Sequence, residues 1–292
     1  MIGVKVAKGQ RASLHRPGQQ RRRMTNDMLM MLFKVAIGLV TFVMLLLAGP
    51  AYMMLWGGVD TAADWATASR EPAGHAPDPA TTREAIVQVY GARAFSWRGA
   101  FAAHTWLAIK PENARHYTIY EVMGWRRPTV SIHANAPDRA WFGNPAHLLA
   151  EIRGEKAAAA ISRLQQAASK YPYPQTYRIW PGANSNSFTA WMVRQAPELD
   201  VELPSIALGK DYLIDNTHWW GRFFAPAPSN SGYQLSLFGL LGIMIAREEG
   251  IEINVLGLVF GLDPFDWAIK LPGIGRIARK PLVEDNRDAT DH

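Results

Sequence analysis

Cysteine is missing altogether from these 292 residues. That excludes disulfides, thiolate metal ligands and a cysteine nucleophile together. Four other signals are missing: the GxxxxGKS/T phosphate loop, a GxGxxG after a strand, the HExxH zinc motif and the GxSxG nucleophile elbow. The histidines show no paired metal-ligand spacing, so neither a metal nor a cofactor is implied. Disorder is excluded by composition, since 48% of residues are apolar and 19% charged. The net charge of +6 is no nucleic-acid footprint. Residues 1–27 hold seven basic side chains against one acid, which leaves 24 of each sign in the rest of the chain. A nucleic-acid-binding domain carries its excess on the fold itself.

Charge is next missing from Val35 to Val59, within an apolar run from Met28 to Gly58. About 20 apolar residues span a bilayer, so residues 28–58 are long enough to anchor the chain in a membrane. Lys34 near the basic end can snorkel to the headgroups, Tyr52 and Trp56 suit an interfacial aromatic belt, and Pro50 predicts a kink or a stop. A buried core helix rarely needs so long an uncharged run. A cleaved signal peptide rarely has so long a charged region before it. An uncleaved anchor is the favoured reading. Arg21, Arg22 and Arg23 precede the span, while Asp60 and Asp64 follow it. The positive-inside rule therefore places residues 1–27, a basic tail, in the cytoplasm. The main domain is expected outside the cytoplasmic (inner) membrane, in the periplasm if the cell has two membranes.

Residues 59–83, rich in Ala, Thr, Pro and Asp, read as a linker to a domain over 84–275, with a tail over 276–292. Within the domain, strands are expected over 84–97, 101–110, 116–124 and 129–134, and extended chain over 175–180. Helices are expected over 155–170 and near 188–195. Residues 233–262 are apolar but too short and glycine-rich for a second span. They read as one long β-hairpin broken at Arg247–Gly250 and buried in part on both faces. Strands and helices mix without βαβ alternation, so the fold class is α+β around an antiparallel sheet.

Three strings carry candidate chemistry. His104 opens an apolar strand, and Glu121 is the one acid inside another. A four-residue turn over 111–114 would set His104 directly opposite Glu121. Asn184, Ser185, Asn186 and Ser187 are all good helix N-cap types, and a hydroxyl there sits in a field that favours a developing anion. The plain readings are helix caps for the serines, a packed histidine, and for Glu121 a structural salt bridge, for example to an arginine. Trp219 and Trp220 fit a core, a ligand groove or a nearby membrane surface equally.

The strings HTWLAIK, YTIYEVMGW, YPYPQTYRIWPGANSNSF and YQLSLFGLLG occur in that order. They resemble an uncharacterised bacterial family of membrane-anchored proteins over roughly residues 85–275, a likeness that implies no activity. More distantly, the chain resembles the circularly permuted papain-like superfamily, with its NlpC-type amidohydrolases and the lecithin:retinol acyltransferase group. By order, that likeness matches His104 to the family's histidine, Glu121 to its polar partner and Ser185 to its cysteine. It implies a catalytic set His104, Glu121 and Ser185, with Ser185 Oγ within about 4 Å of a His104 nitrogen. Separately from that likeness, Trp106, Trp125, Asn184, Asn186 and Trp219 are the candidate ligand-binding residues. Serine ionises far less readily than a thiol and needs a well-placed base. Two functions are therefore expected. One is a non-enzymatic envelope protein binding a partner, a lipid or a cell-wall fragment on a hydrolase-like scaffold. The other is a serine-based hydrolase or acyltransferase acting on a cell-wall or lipid amide or ester.

Overall fold

The computed structural model describes residues 17–278. The basic residues from Lys5 to Arg16, and the C-terminal tail over 279–292, lie outside them. The chain divides into two units, Met1–Leu46 and Leu47–His292. Helix α1 (Pro17–Leu55) accounts for the described part of the first unit and ends in the second. Its stretch Thr25–Leu55 is 31 residues long and apolar enough to cross a membrane. At 1.5 Å per residue it reaches about 46 Å, more than the ~30 Å of a hydrocarbon core. Pro50 lies inside the helix instead of ending it.

The second unit contains an antiparallel five-stranded sheet. Its strands are β1 (Ile86–Arg93), β2 (Ala103–Lys110), β3 (Thr118–Val122), β4 (Val130–Ala134) and β5 (His147–Arg153), in the order β4-β3-β2-β1-β5. Helices α2 (Gly154–Ser169) and α3 (Ser185–Val193) cover one face. Val87, Val89, Leu107, Ile109, Tyr120 and Val122 meet Leu164, Phe188 and Met192 there. The alternate residues Ile86, Tyr90, Trp106, Ala108 and Ile119 form a second core on the other face, with Trp141. Burial on both faces is why β1 and β2 read as continuous apolar runs. The α+β class is as expected. Strand β5 had no clear apolar period. Residues 175–180 form turns, not a strand, and α3 begins at Ser185 instead of near Phe188.

The proline-rich stretch expected as a linker is strapped to the sheet unit by backbone bonds. Ala73 N donates to Asp138 O at 3.0 Å and Ala140 N to Glu71 O at 2.9 Å. The Asp138 carboxylate accepts from His75 N at 2.6 Å. Prolines and small polar residues lend themselves to such an irregular strap because the loop they pack against supplies the missing partners.

Residues 224–277 form a second sheet, where one hairpin was expected over 233–262. The strands are β6 (Phe224–Pro226), β7 (Gly232–Leu237), β8 (Leu241–Ala246), β9 (Gly250–Val255), β10 (Leu258–Asp263), β11 (Ala268–Leu271) and β12 (Gly275–Ile277). Each pairs with the next, antiparallel, in chain order. The break at Arg247–Gly250 is one of several tight turns. Two others lie at Phe238–Gly239 and Leu256–Gly257, where positive φ at both residues of each pair lets the chain reverse.

Candidate functional site: the Glu121 centre

Glu121 is fully buried in β3 and is held by three side chains. His104 Nε2 lies 3.1 Å from Oε2. Arg139 Nη2 donates to Oε1 at 2.7 Å, and His133 Nε2 stands 3.7 Å from the same oxygen. The contact between His104 and Glu121 was expected, but not its register. Leu107 pairs with Tyr120, where a four-residue turn would have set it against Thr118. The longer turn shifts the pairing by two residues. That keeps both side chains on one face and makes the contact diagonal instead of direct.

Burial pushes the His104 imidazole below its ordinary pKa, although the bond to Glu121 opposes this. Burial also disfavours charge on Glu121. The hydrogen bond from His104 and the charge of Arg139 outweigh it, so the carboxyl sits below the usual carboxylate range. A carboxylate beside a neutral histidine fixes the tautomer: Nε2 carries the proton and donates it to Glu121. The histidine ring stacks on Trp141 with centroids 3.6 Å apart and lies beside Trp106. Arg139 lies over both indoles, at 5.6 and 5.8 Å. The result is a closed cation, carboxylate and aromatic cluster.

The N-terminus of α3 is fixed from the other face of the sheet. Asn184 is the N-cap: its side chain accepts from the backbone N–H groups of Asn186 at 2.9 Å and Ser187 at 3.1 Å. The Ser187 hydroxyl accepts from Asn184 N at 2.8 Å, completing a capping box. The Asn186 amide donates to Ala103 O at 2.8 Å and accepts from the Thr105 hydroxyl at 2.9 Å. Asn186 is thus bonded on both sides of His104, to the neighbours whose side chains point towards α3. Strand alternation sends His104 the opposite way, to Trp141. Ser185 is the first residue of α3 and is buried.

The five expected ligand residues divide by exposure. Trp106 is buried and donates its indole N–H to Pro137 O at 2.7 Å. Asn184 and Asn186 are buried and bonded as described. Trp219 is exposed in a short 3-10 turn remote in sequence from the centre. Trp125 is 64% exposed and lies against Trp141 and Phe142, with centroids 5.9 and 5.8 Å away. Arg70 stacks on Phe142 at 4.5 Å, and Arg126 and Arg127 are exposed beside Trp125. Sequence reasoning did not single out Arg139, Trp141, Phe142 or Arg70. Their only signal was an aromatic pair two residues after an arginine, in a loop without period. Among the described residues no group of three acidic or histidine side chains could hold a metal ion.

The chain matches no curated protein and no solved structure. Residues 84–212 match a family model described as "Protein of unknown function (DUF3750)". That stretch contains the five-stranded sheet, α2, α3 and the whole Glu121 centre, and over it the chain is similar to that family, whose function is unknown.

Proposed function

We propose that this is a membrane-anchored, non-catalytic binding domain, exposed outside the cytoplasm, and that its ligand lies on the Trp125–Trp141–Phe142 rim. One observation carries the reading. Glu121, His104 and Arg139 are buried and joined through the Glu121 carboxylate, with His133 half-buried beside them, whereas Trp125 stands open next to Arg126 and Arg127, with Arg70 over the neighbouring Phe142. An exposed indole offers a flat apolar face, and the arginines offer carboxylate partners. Together they suit a fragment with sugar rings and carboxylates, as in a bacterial cell wall. The orientation follows from the arginines in the first turns of α1, ahead of its apolar stretch, and the acids after the helix. Alkaline phosphatase fused after His292 is therefore expected to be active, and an inactive, stably expressed fusion would refute this orientation.

The rival reading is a serine hydrolase on a papain-like scaffold. The His104–Glu121 contact favours it, since a carboxylate-held imidazole is one half of a catalytic dyad. Against it stands the packing of α3 on the face away from the imidazole. A serine-reactive fluorophosphonate separates the two. The full chain in membranes is expected to remain unlabelled. Labelling that disappears in both Ser185→Ala and His104→Ala would establish the hydrolase and remove the non-catalytic reading.

A further inference from the structure

The second sheet reverses the usual arrangement of an antiparallel sheet, in which apolar residues face in and polar ones face out. One row of directly paired residues crosses all seven strands: Pro226, Tyr233, Ile245, Ile251, Leu262, Ile269 and Ile277. From Tyr233 to Ile277 these side chains are between 43% and 61% exposed. A neighbouring row, Phe224, Leu235, Ile243, Ile253 and Phe260, continues the same face. The alternate residues point inward; Met244, Ala246, Val259 and Ala268 among them are apolar, but Gln234, Ser236, Glu252, Asn254, Asp263 and Lys270 are polar or charged. Glu252 is bonded to Lys210 and Lys270, Lys270 also pairs with Glu202 at 2.6 Å, and the Asn254 amide donates to Asp211 at 2.8 Å. Seven strands ~4.8 Å apart and about five residues long present roughly 500 Å² in projection, at the upper end of what soluble monomers expose.

We propose that this face lies against the hydrocarbon boundary of the membrane that holds α1. Apolar outward and polar inward is the alternation of a lipid-facing sheet. The occupant follows from continuity with the anchor, inside a single structural unit. The end of α1 packs on the β11–β12 corner. Gly49 lies so close to the Pro272 carbonyl that a Cβ there would collide, and Gly273 crowds Pro50 in the same way. Arg93 locks the corner, donating to Gly273 O at 3.0 Å and Ile274 O at 2.8 Å, with Met53 Sδ at 3.8 Å. Gly49 is six residues short of the end of the apolar helix, about 9 Å along its axis. A bilayer that takes α1 to Leu55 therefore meets the corner of this sheet. Interfacial amphipathic elements sink to a comparable depth. Phe265 and Trp267, in the turn before β11, are exposed and supply the aromatic residues expected at such a boundary. The sheet lies outside residues 84–212, so lipid contact is a property of this chain's C-terminal part, separate from the Trp125 rim.

The missing cysteines make the test direct. Single substitutions Ile245→Cys and Leu262→Cys, and Lys156→Cys on exposed α2 as a control, are labelled with an environment-sensitive fluorophore. Each full-length chain is reconstituted into phosphatidylcholine–phosphatidylglycerol vesicles. The labels at 245 and 262 are expected to be quenched severalfold by lipids brominated in the acyl chain and hardly at all by aqueous iodide, with the reverse at 156. Two positions on one row guard against a local folding defect at either. Iodide quenching at 245 and 262 equal to that at 156, in protein that co-floats with vesicles, overturns the sheet proposal and leaves the anchor standing. Protection from both quenchers, with Ile245→Cys chains cross-linking to each other, assigns the face to a second copy and also overturns it. A chain that does not co-float at all overturns anchor and sheet together.

Discussion

Replacing Glu121 by alanine is expected to destabilise the sheet unit by about 3–5 kcal/mol, because it leaves a guanidinium buried without its counter-charge. Arg139 is buried beside two indoles, and its nearest acid is Glu121 at 2.7 Å. The double variant Glu121→Leu/Arg139→Leu removes both charges and should recover most of the loss, since apolar pairs often replace buried ion pairs at little cost. Urea unfolding of the full chain in detergent, followed by tryptophan fluorescence, measures both. A loss below about 1 kcal/mol for Glu121→Ala would mean that water reaches Arg139 and that the centre is open. The pH dependence has a defined sign. The folded pKa of Glu121 lies below its unfolded value, so its contribution is complete above the ordinary carboxylate range. It is lost as pH falls through the folded value, and Glu121→Ala should flatten that part of the stability curve.

The sequence made some of this legible and hid the rest for identifiable reasons. The anchor was readable because no charge interrupts Val35 to Val59. Strands β1 to β4 were readable because they are short runs rich in β-branched and aromatic residues between turn-forming residues. The approach of His104 and Glu121 was readable because strand parity survives a register shift of two, which a misjudged turn produced. Arg139 was not, because it reaches Glu121 from an irregular loop that carries no periodic signal. Residues 233–262 announced strands, but not which face is buried. Gln234, Glu252 and Asn254 alternate with isoleucines and leucines, and alternation alone cannot say which set faces inward. Only the partners that draw these polar residues in, Lys210, Asp211 and Lys270, decide it, and two of them precede the sheet in the chain.

The second large effect concerns the rim. Trp125 is exposed, so its removal should leave the fold intact while deleting the flat face on which a ligand would rest. A central aromatic anchor typically contributes about 2 kcal/mol or more to binding, which corresponds to a loss of more than tenfold in affinity. The closed polar centre beneath it should leave the ligand chemically unchanged. The deciding measurement is a titration of the full-length chain in detergent with soluble muramyl-peptide wall fragments. Tryptophan fluorescence reports binding, and mass analysis of the recovered fragments reports cleavage. The account predicts saturable binding by the parent chain, binding at least about tenfold weaker by Trp125→Ala with an unchanged unfolding midpoint, and fragments returned intact. Equal affinity of the two proteins, no saturable response from the parent chain, or cleaved fragments would contradict it.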